Sequence, residues 1–226
     1  MTSGYFVAGT DTGVGKTHVA VSLVIALRAA GHSVGVMKPV AAGALESSQG
    51  PRNEDALALI TAAGQPFDYG LVNPYLFDEP VAPHIAAAEA GVEIDIDRIV
   101  AAYAGLAGQS DIMIVEGAGG WLVPIGPNRT MADIAAALGL PVLLVVGIRL
   151  GCLNHALLTA SAIRDSGLEL AGWVANCIDP EMRRSDANLA ALDERLGAPR
   201  VATLPWEPYV TPESNAHRLD LDALHA

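Results

Sequence analysis

Six apolar runs punctuate the chain, at Tyr5–Ala8, Ser33–Val40, Asp111–Val115, Pro141–Ile148, Leu170–Ala175 and Val201–Leu204. They are rich in β-branched residues and scarcely alternate with polar ones, as strands buried on both faces do. Longer helical patterns separate them. Lys16–Ala30 is apolar nearly all round, apart from His18, Ser22 and Arg28, and stops at Gly31, which predicts a central helix against a sheet. Thr130-Met-Ala-Asp133 sets a hydroxyl cap three residues before an acid, and Gly139 ends the helix that follows. Cys152–Ser166 runs to Gly167, and Leu189, Leu192 and Leu196 stripe a helix that Gly197 closes. Strand alternating with helix predicts an α/β fold with a doubly wound, mostly parallel sheet.

No linker, repeat or low-complexity stretch divides residues 1–226, so a single domain is expected. Gln65–Ala90 is richer in Pro and aromatics and reads as loops and short helices over one end of the sheet. After Pro205, Pro208, Pro212 and Asn215 suggest a surface loop with a terminal helical turn. Composition narrows the function. Against 13 Lys+Arg stand 25 Asp+Glu, a formal net charge of −12. Such a chain is no general nucleic-acid binder, since phosphate backbones require a basic face. The longest apolar run, Leu140 to Ile148, is too short to cross a bilayer. The first residues lack the basic and apolar regions of a signal peptide. Cys152 and Cys177 alone make neither a disulfide framework nor a four-cysteine zinc site. A cytoplasmic protein with no membrane partner is expected.

The run Tyr5–Ala8 leads into Gly9-Thr10-Asp11-Thr12-Gly13-Val14-Gly15-Lys16-Thr17, and a helix begins at once. This is the layout of a phosphate-binding loop. Glycines let backbone amides turn inward, the helix start adds its dipole, and Lys16 reaches the β- and γ-phosphates. The Thr17 hydroxyl is placed to ligate Mg²⁺. The usual G-x-x-x-x-G-K-[ST] spacing puts glycine at position 10, whereas Thr10 stands there and Gly9 precedes it. Glu116 ends the run Ile112–Val115 and opens Gly117-Ala118-Gly119-Gly120, where an acid can orient the metal. Asp55, in Arg52-Asn53-Glu54-Asp55, is either a second metal carboxylate or a helix-cap acid. Lys38 closes Ser33–Val40 and is the only lysine besides Lys16. At a strand end beside the first strand's loop it would neutralise a transferring phosphoryl group or a bound anion.

Together these segments resemble the ATP-dependent dethiobiotin synthetases. The resemblance runs through Tyr5–Thr17, Lys38-Pro39-Val40-Ala41, Arg52–Leu57, Val72–Tyr75, Glu79–His84, Val115–Trp121, Leu150–His155, Gly172–Asn176 and Leu204–Trp206. It implies a P-loop NTPase-like sheet of about seven strands and a homodimer with the substrate site at the subunit interface. The implied substrates are 7,8-diaminopelargonate, CO₂ and MgATP. By the same resemblance, Thr17, Asp55 and Glu116 match Mg²⁺ ligands, and Thr12, Gly13, Val14, Gly15, Lys16 and Thr17 match ATP contacts. Glu116, Gly117, Ala118 and Gly119 also match ATP contacts. Asn176 matches the side chain that reads adenine, with Pro205, Trp206 and Glu207 lining the base. Lys38 and Lys16 match catalytic lysines, and Gly151, Cys152, Leu153 and Asn154 match a helix start that receives the substrate carboxylate from across the dimer. A carboxylate there is favourable by roughly 0.3–1 kcal/mol.

Two positions depart from the family. Ala42 stands where members carry a substrate-contacting Ser, and Asn188 where many carry Tyr. His84, His155, Cys152 and the tryptophans read as core or substrate-wall residues. A partition- or positioning-type ATPase switch is the alternative, but such proteins carry a second lysine early in the loop, where Thr10 and Asp11 stand here.

Overall fold

The computed structural model describes residues 3–224. In chain order the elements are β1 (Ser3–Gly9), α1 (Lys16–Ala29), β2 (Val34–Met37), β3 (Val40–Ala42), α2 (Glu54–Ala63), α3 (Tyr69–Val72), β4 (Tyr75–Phe77) and α4 (Pro83–Glu89). Then follow α5 (Ile96–Ala107), β5 (Ile112–Glu116), β6 (Pro124–Gly126), β7 (Arg129–Thr130), α6 (Met131–Leu138) and β8 (Val142–Ile148). The chain continues through α7 (Cys152–Asp165), β9 (Leu170–Cys177), α8 (Ser185–Leu196), β10 (Arg200–Leu204) and α9 (Pro212–Ala216).

Six strands form one sheet in the order β10-β9-β8-β1-β5-β2, every pair parallel. β5 and β8 are buried along their whole length, which explains their unbroken apolar runs. α1 lies against the sheet with Val19, Leu23, Val24 and Leu27 at most 1% exposed. The expected caps form: the Thr130 amide donates to the Asp133 carboxylate at 2.6 Å, and Gly139 takes a left-handed conformation at φ 64°.

Two expectations need correction. Ser33–Val40 is not one strand, and the described sheet has six strands rather than about seven. The chain leaves the sheet at Lys38-Pro39, because Pro39 has no amide to continue the ladder. Val40–Ala42 pairs instead with Tyr75–Phe77 in a separate two-stranded ribbon. Asn73, only 4% exposed, secures this exit. Its Nδ2 donates to the Lys38 carbonyl at 2.7 Å and to the Tyr75 carbonyl at 3.1 Å, while its Oδ1 accepts from the Tyr69 hydroxyl at 3.0 Å. The Lys38 amide donates to the Val72 carbonyl at 2.8 Å. The tail is, as expected, a loop followed by short helical turns. α9 packs on α1, with Asn215 only 1% exposed and its Nδ2 2.9 Å from His18 Nε2. The Tyr5 hydroxyl donates to the Leu224 carbonyl at 2.8 Å, which ties the chain's far end to β1.

Replacing Asn73 with Ala strands buried carbonyls at the exit from β2, and a buried polar group left unpaired costs about 1–3 kcal/mol. Asn73→Ala should lose that much stability in equilibrium urea unfolding. A change below experimental error would show that the exit holds without it.

Candidate functional site

Three adjacent strands set the site. β1, β5 and β2 run parallel and side by side, with Val7 opposite Glu116 and Met37 opposite Val115. Their carboxyl ends therefore emerge on one edge, where parallel sheets bind ligands. β1 delivers the glycine-rich loop, β5 delivers Glu116 and β2 delivers Lys38. Glu116 thus stands between the loop and Lys38, rather than Lys38 lying directly beside the loop as the sequence suggested.

A cavity of about 640 Å³ opens there, lined by Lys16, Thr17, Lys38, Asp55 and Glu116 among others. Lys38 Nζ lies 2.5 Å from Glu116 Oε1 and 2.9 Å from Asp55 Oδ2. The Thr17 hydroxyl donates to the same Glu116 oxygen at 2.8 Å. Glu116 is wholly buried and Lys38 is 4% exposed, so their attraction is poorly screened by solvent. Burial alone would lower the Lys38 pKa, but the Glu116 and Asp55 charges overcome it and hold the ammonium above its ordinary value. Asp55 is pushed up by burial and pulled down further by Lys38, so its carboxyl stays below the usual range. Asp55 heads α2, whose cap is the neighbouring Asn53 accepting from the Ala56 amide at 3.3 Å. The capping role belongs to Asn53, which frees Asp55 to face the cavity.

The loop is shaped for an anion. Gly13 and Gly15 take φ 74° and 87°, conformations that L side chains rarely adopt, and a Cβ on Gly15 would run into the Asn176 amide. Among the described residues the Gly13, Val14 and Gly15 amides have no hydrogen-bond acceptor. Lys16 Nζ turns back onto the Asp11 carbonyl at 2.9 Å. The Asp11 carboxylate accepts from the Thr12 amide and from Arg149, each at 2.8 Å. Burial, then the nearby Lys38 charge, lowers the Lys16 pKa to about 8, against upward pulls from Glu116, Asp55 and Asp11. Free amides, a depressed lysine and a helix start suit a polyphosphate.

The site also fits a hard divalent cation. Glu116 Oε2 is buried and has no partner among the described residues. Two carboxylates and a hydroxyl are hard oxygen donors. Among the described residues no cluster of three or more His, Cys, Asp or Glu side chains forms an all-protein metal cage. Mg²⁺ needs none, because it keeps waters and shares substrate phosphates.

The other expected residues divide between this cavity and other places. Thr12, Gly13, Gly15, Ala42, Ala118 and Gly119 line the main cavity, while Val14 is packed beneath the loop, 1% exposed. A Cβ on Gly117 would meet the Phe6 ring at 2.9 Å, so that glycine serves packing behind the site. Asn176 Nδ2 donates to the Val14 carbonyl at 2.9 Å and so braces the loop. Pro205 and Trp206 line a hollow of about 310 Å³ with Ile148 and Cys177, but Glu207 pairs with Arg218 at 3.3 Å and is not in its wall. Gly151, Cys152, Leu153 and Asn154 line neither cavity. Asn188, in α8, donates to the carbonyl of Arg184, the residue just before that helix, at 2.9 Å. Sequence reasoning gave no role to Asn53 or Asn73. An asparagine directly before a helical pattern signals a cap, but Asn73 is recognisable only once Lys38 has been placed.

A family model described as an AAA domain matches residues 3–214. The chain is similar to the ATP-dependent dethiobiotin synthetase BioD of Aromatoleum aromaticum, with 53% identity over 96% of this chain and 96% of that one. It is likewise similar to the BioD proteins of Pseudomonas aeruginosa (50% identity, 97% of each chain) and Xanthomonas axonopodis pv. citri (48%, 96% of this chain and 97% of that one). Among solved structures, MinD cell division protein of Aquifex aeolicus superposes with a TM-score of 0.60 at 17% identity, covering 99% of this chain and 95% of that one. A ParA family ATPase from Chlorobium tepidum gives 0.59 at 16%, covering 100% of both. At such identities the likeness is one of fold.

The depressed lysine is directly measurable. Between about 8 and its ordinary value of 10.5, folded Lys16 holds less proton than the unfolded chain does, so this group makes stability rise with pH across that window. Titration of ¹⁵Nζ-lysine resonances in nucleotide-free protein should place one midpoint near pH 8. Two ordinary midpoints would refute the desolvated loop.

Proposed function

The chain belongs to the ATP-dependent dethiobiotin synthetase family, and from that premise we propose how its cavity divides the work. Membership makes it an ATP-dependent ligase. The reading is that it converts 7,8-diaminopelargonate, CO₂ and MgATP to dethiobiotin, ADP and phosphate. One observation carries the assignment of roles: phosphate-loop Lys16 and Thr17 share a cavity with Lys38, Asp55 and Glu116.

The Gly13–Lys16 amides and the Lys16 ammonium take the terminal phosphates of ATP. Thr17, Asp55 and Glu116 would hold Mg²⁺, which when bound offsets charge on the β- and γ-phosphate oxygens. One amine of the diamine adds to CO₂ and loses a proton, giving a carbamate. A carbamate oxygen attacks the γ-phosphorus, the bond to ADP breaks, and a carbamic–phosphoric anhydride forms. The second amine then attacks the carbamoyl carbon, closes the ureido ring and expels phosphate as its proton leaves. Lys38, at the phosphate end of the cavity, steadies the anionic carbamate and the departing phosphate. Pro80, Val81, Ala82 and Pro83 wall the cavity and keep water from the anhydride. Holding both amines near one carbon supplies a proximity gain of several orders of magnitude in rate.

The base is assigned to the hollow at Pro205 and Trp206. Asn176, whose Nδ2 is engaged with the loop, keeps Oδ1 to accept from the adenine amino group. The Gly151–Asn154 helix start is assigned to a second copy's substrate carboxylate, which fits its place outside the wall of its own cavity. Leu122 and Leu158, 60% and 62% exposed, share a groove beside Thr10–Thr12 and support a covered dimer face. Cys152 and Cys177 are free thiols, which suits the reducing cytoplasm. No helix among the described residues is long and apolar enough to cross a membrane.

MinD and ParA share the fold and bring no substrate with it. The two readings separate in one assay. ADP release should require diamine and bicarbonate together, and mass spectrometry should find dethiobiotin in step with ADP. Rapid ADP release that ignores the diamine would favour an ATPase switch.

A further inference from the structure

All three donors of the Lys38 ammonium have partners: Glu116 Oε1 at 2.5 Å, Asp55 Oδ2 at 2.9 Å and the Gly117 carbonyl at 3.4 Å. In this arrangement none is left for a carbamate. The oxygens it occupies belong to the two carboxylates assigned above to Mg²⁺, and Thr17, the third assigned ligand, is bonded to one of them. The ammonium therefore stands where the metal's donors converge.

We propose that Lys38 is the stand-in counter-ion of the metal site, exchanging with the divalent cation for Glu116 and Asp55, so that metal loading is the event that frees its ammonium for the substrate. This rests on the assignment of Thr17, Asp55 and Glu116 as metal ligands. Without either cation, the fully buried Glu116 side chain would have no cation bonded to it, a condition a folded chain tolerates poorly. Lys38 bridges the two carboxylates and holds them facing one another until the metal arrives. The cation carries twice the charge and approaches oxygen at about 2.0–2.1 Å, closer than an N–H donor can. It displaces the ammonium from Glu116 Oε1 and Asp55 Oδ2, and the buried Oε2 gives it a further oxygen. The freed lysine then faces the space where the carbamate forms. Metal-nucleotide binding would thereby precede anion stabilisation, and the cavity would not bind carbamate firmly before the phosphate donor is in place.

The chain has only two lysines, so ¹⁵Nζ-lysine labelling of the whole protein gives two side-chain signals, assigned by Lys38→Met. Titration of wild type with Mg²⁺ alone should move the Lys38 signal toward that of a solvated ammonium and move Lys16 far less. Binding of Mn²⁺ alone, read from the loss of free-ion paramagnetic resonance, should be at least about tenfold tighter in Lys38→Met than in wild type, because the internal competitor is gone. Glu116→Gln separates the two claims. If it abolishes Mn²⁺ binding while Lys38→Met binds no tighter than wild type and the Lys38 signal stays fixed at saturating Mg²⁺, the exchange is wrong and the ligand assignment survives. If Glu116→Gln binds Mn²⁺ as wild type does, the ligand assignment fails and the exchange with it. Should Lys38→Met fold only in the presence of metal, the wild-type Mg²⁺ titration alone decides between exchange and a fixed pair.

Discussion

The site depends on an ammonium and a carboxylate held together out of water. Lys38 and Glu116, 4% and 0% exposed, sit 2.5 Å apart at the ends of neighbouring strands. Breaking such a pair by deleting one partner leaves a stranded charge, at a cost of about 3–5 kcal/mol, so each residue constrains the other. The same oxygen accepts from Thr17, the first hydroxyl of the phosphate-loop helix. One carboxylate oxygen thus ties together β5, β2 and α1. The sheet order is what permits this, because β5 lies between β1 and β2 and their parallel directions bring the loop, the acid and the lysine to one edge.

The electrostatics follow from that crowding. Burial, and after it the nearby Lys38 charge, lowers the Lys16 pKa to about 8. Lys38 escapes because two carboxylates face it directly. One lysine of the site is therefore matched by carboxylates, and the other, Lys16, is one that a phosphate would complete. A chain of net charge −12 can still meet a polyphosphate through local donors, the loop amides and Lys16 at the start of α1.

Much of this was legible in the sequence, for local reasons. Gly-Lys-Thr after a β-branched run, and a charged residue at the end of an apolar run, are local patterns that tertiary packing preserves. The Thr130/Asp133 cap and the Gly139 and Gly197 stops formed as read. What failed was non-local. The apolar run to Val40 reads as one strand, yet Pro39 turns it into a second ribbon, and Asn73 secures the turn from 35 residues away. Nothing local gave the order that interposes β5, and nothing marked His18 and Asn215 as partners 197 residues apart. The residues that position Lys38 are thus harder to read than Lys38 itself. MinD and ParA carry the same scaffold at 16–17% identity, which places chemistry in the side chains at the sheet edge and not in the sheet.

The proposed chemistry turns on this sheet edge bringing a carbamate oxygen against the terminal phosphorus of ATP. It is tested most directly by the fate of oxygen from CO₂. With ¹⁸O-labelled bicarbonate, diamine and unlabelled MgATP, the released phosphate should carry one ¹⁸O, seen as an isotope-shifted ³¹P resonance in a rapidly quenched turnover. Phosphate free of label, with dethiobiotin still formed, would mean that phosphoryl transfer never passes through the carbamate and would contradict the account.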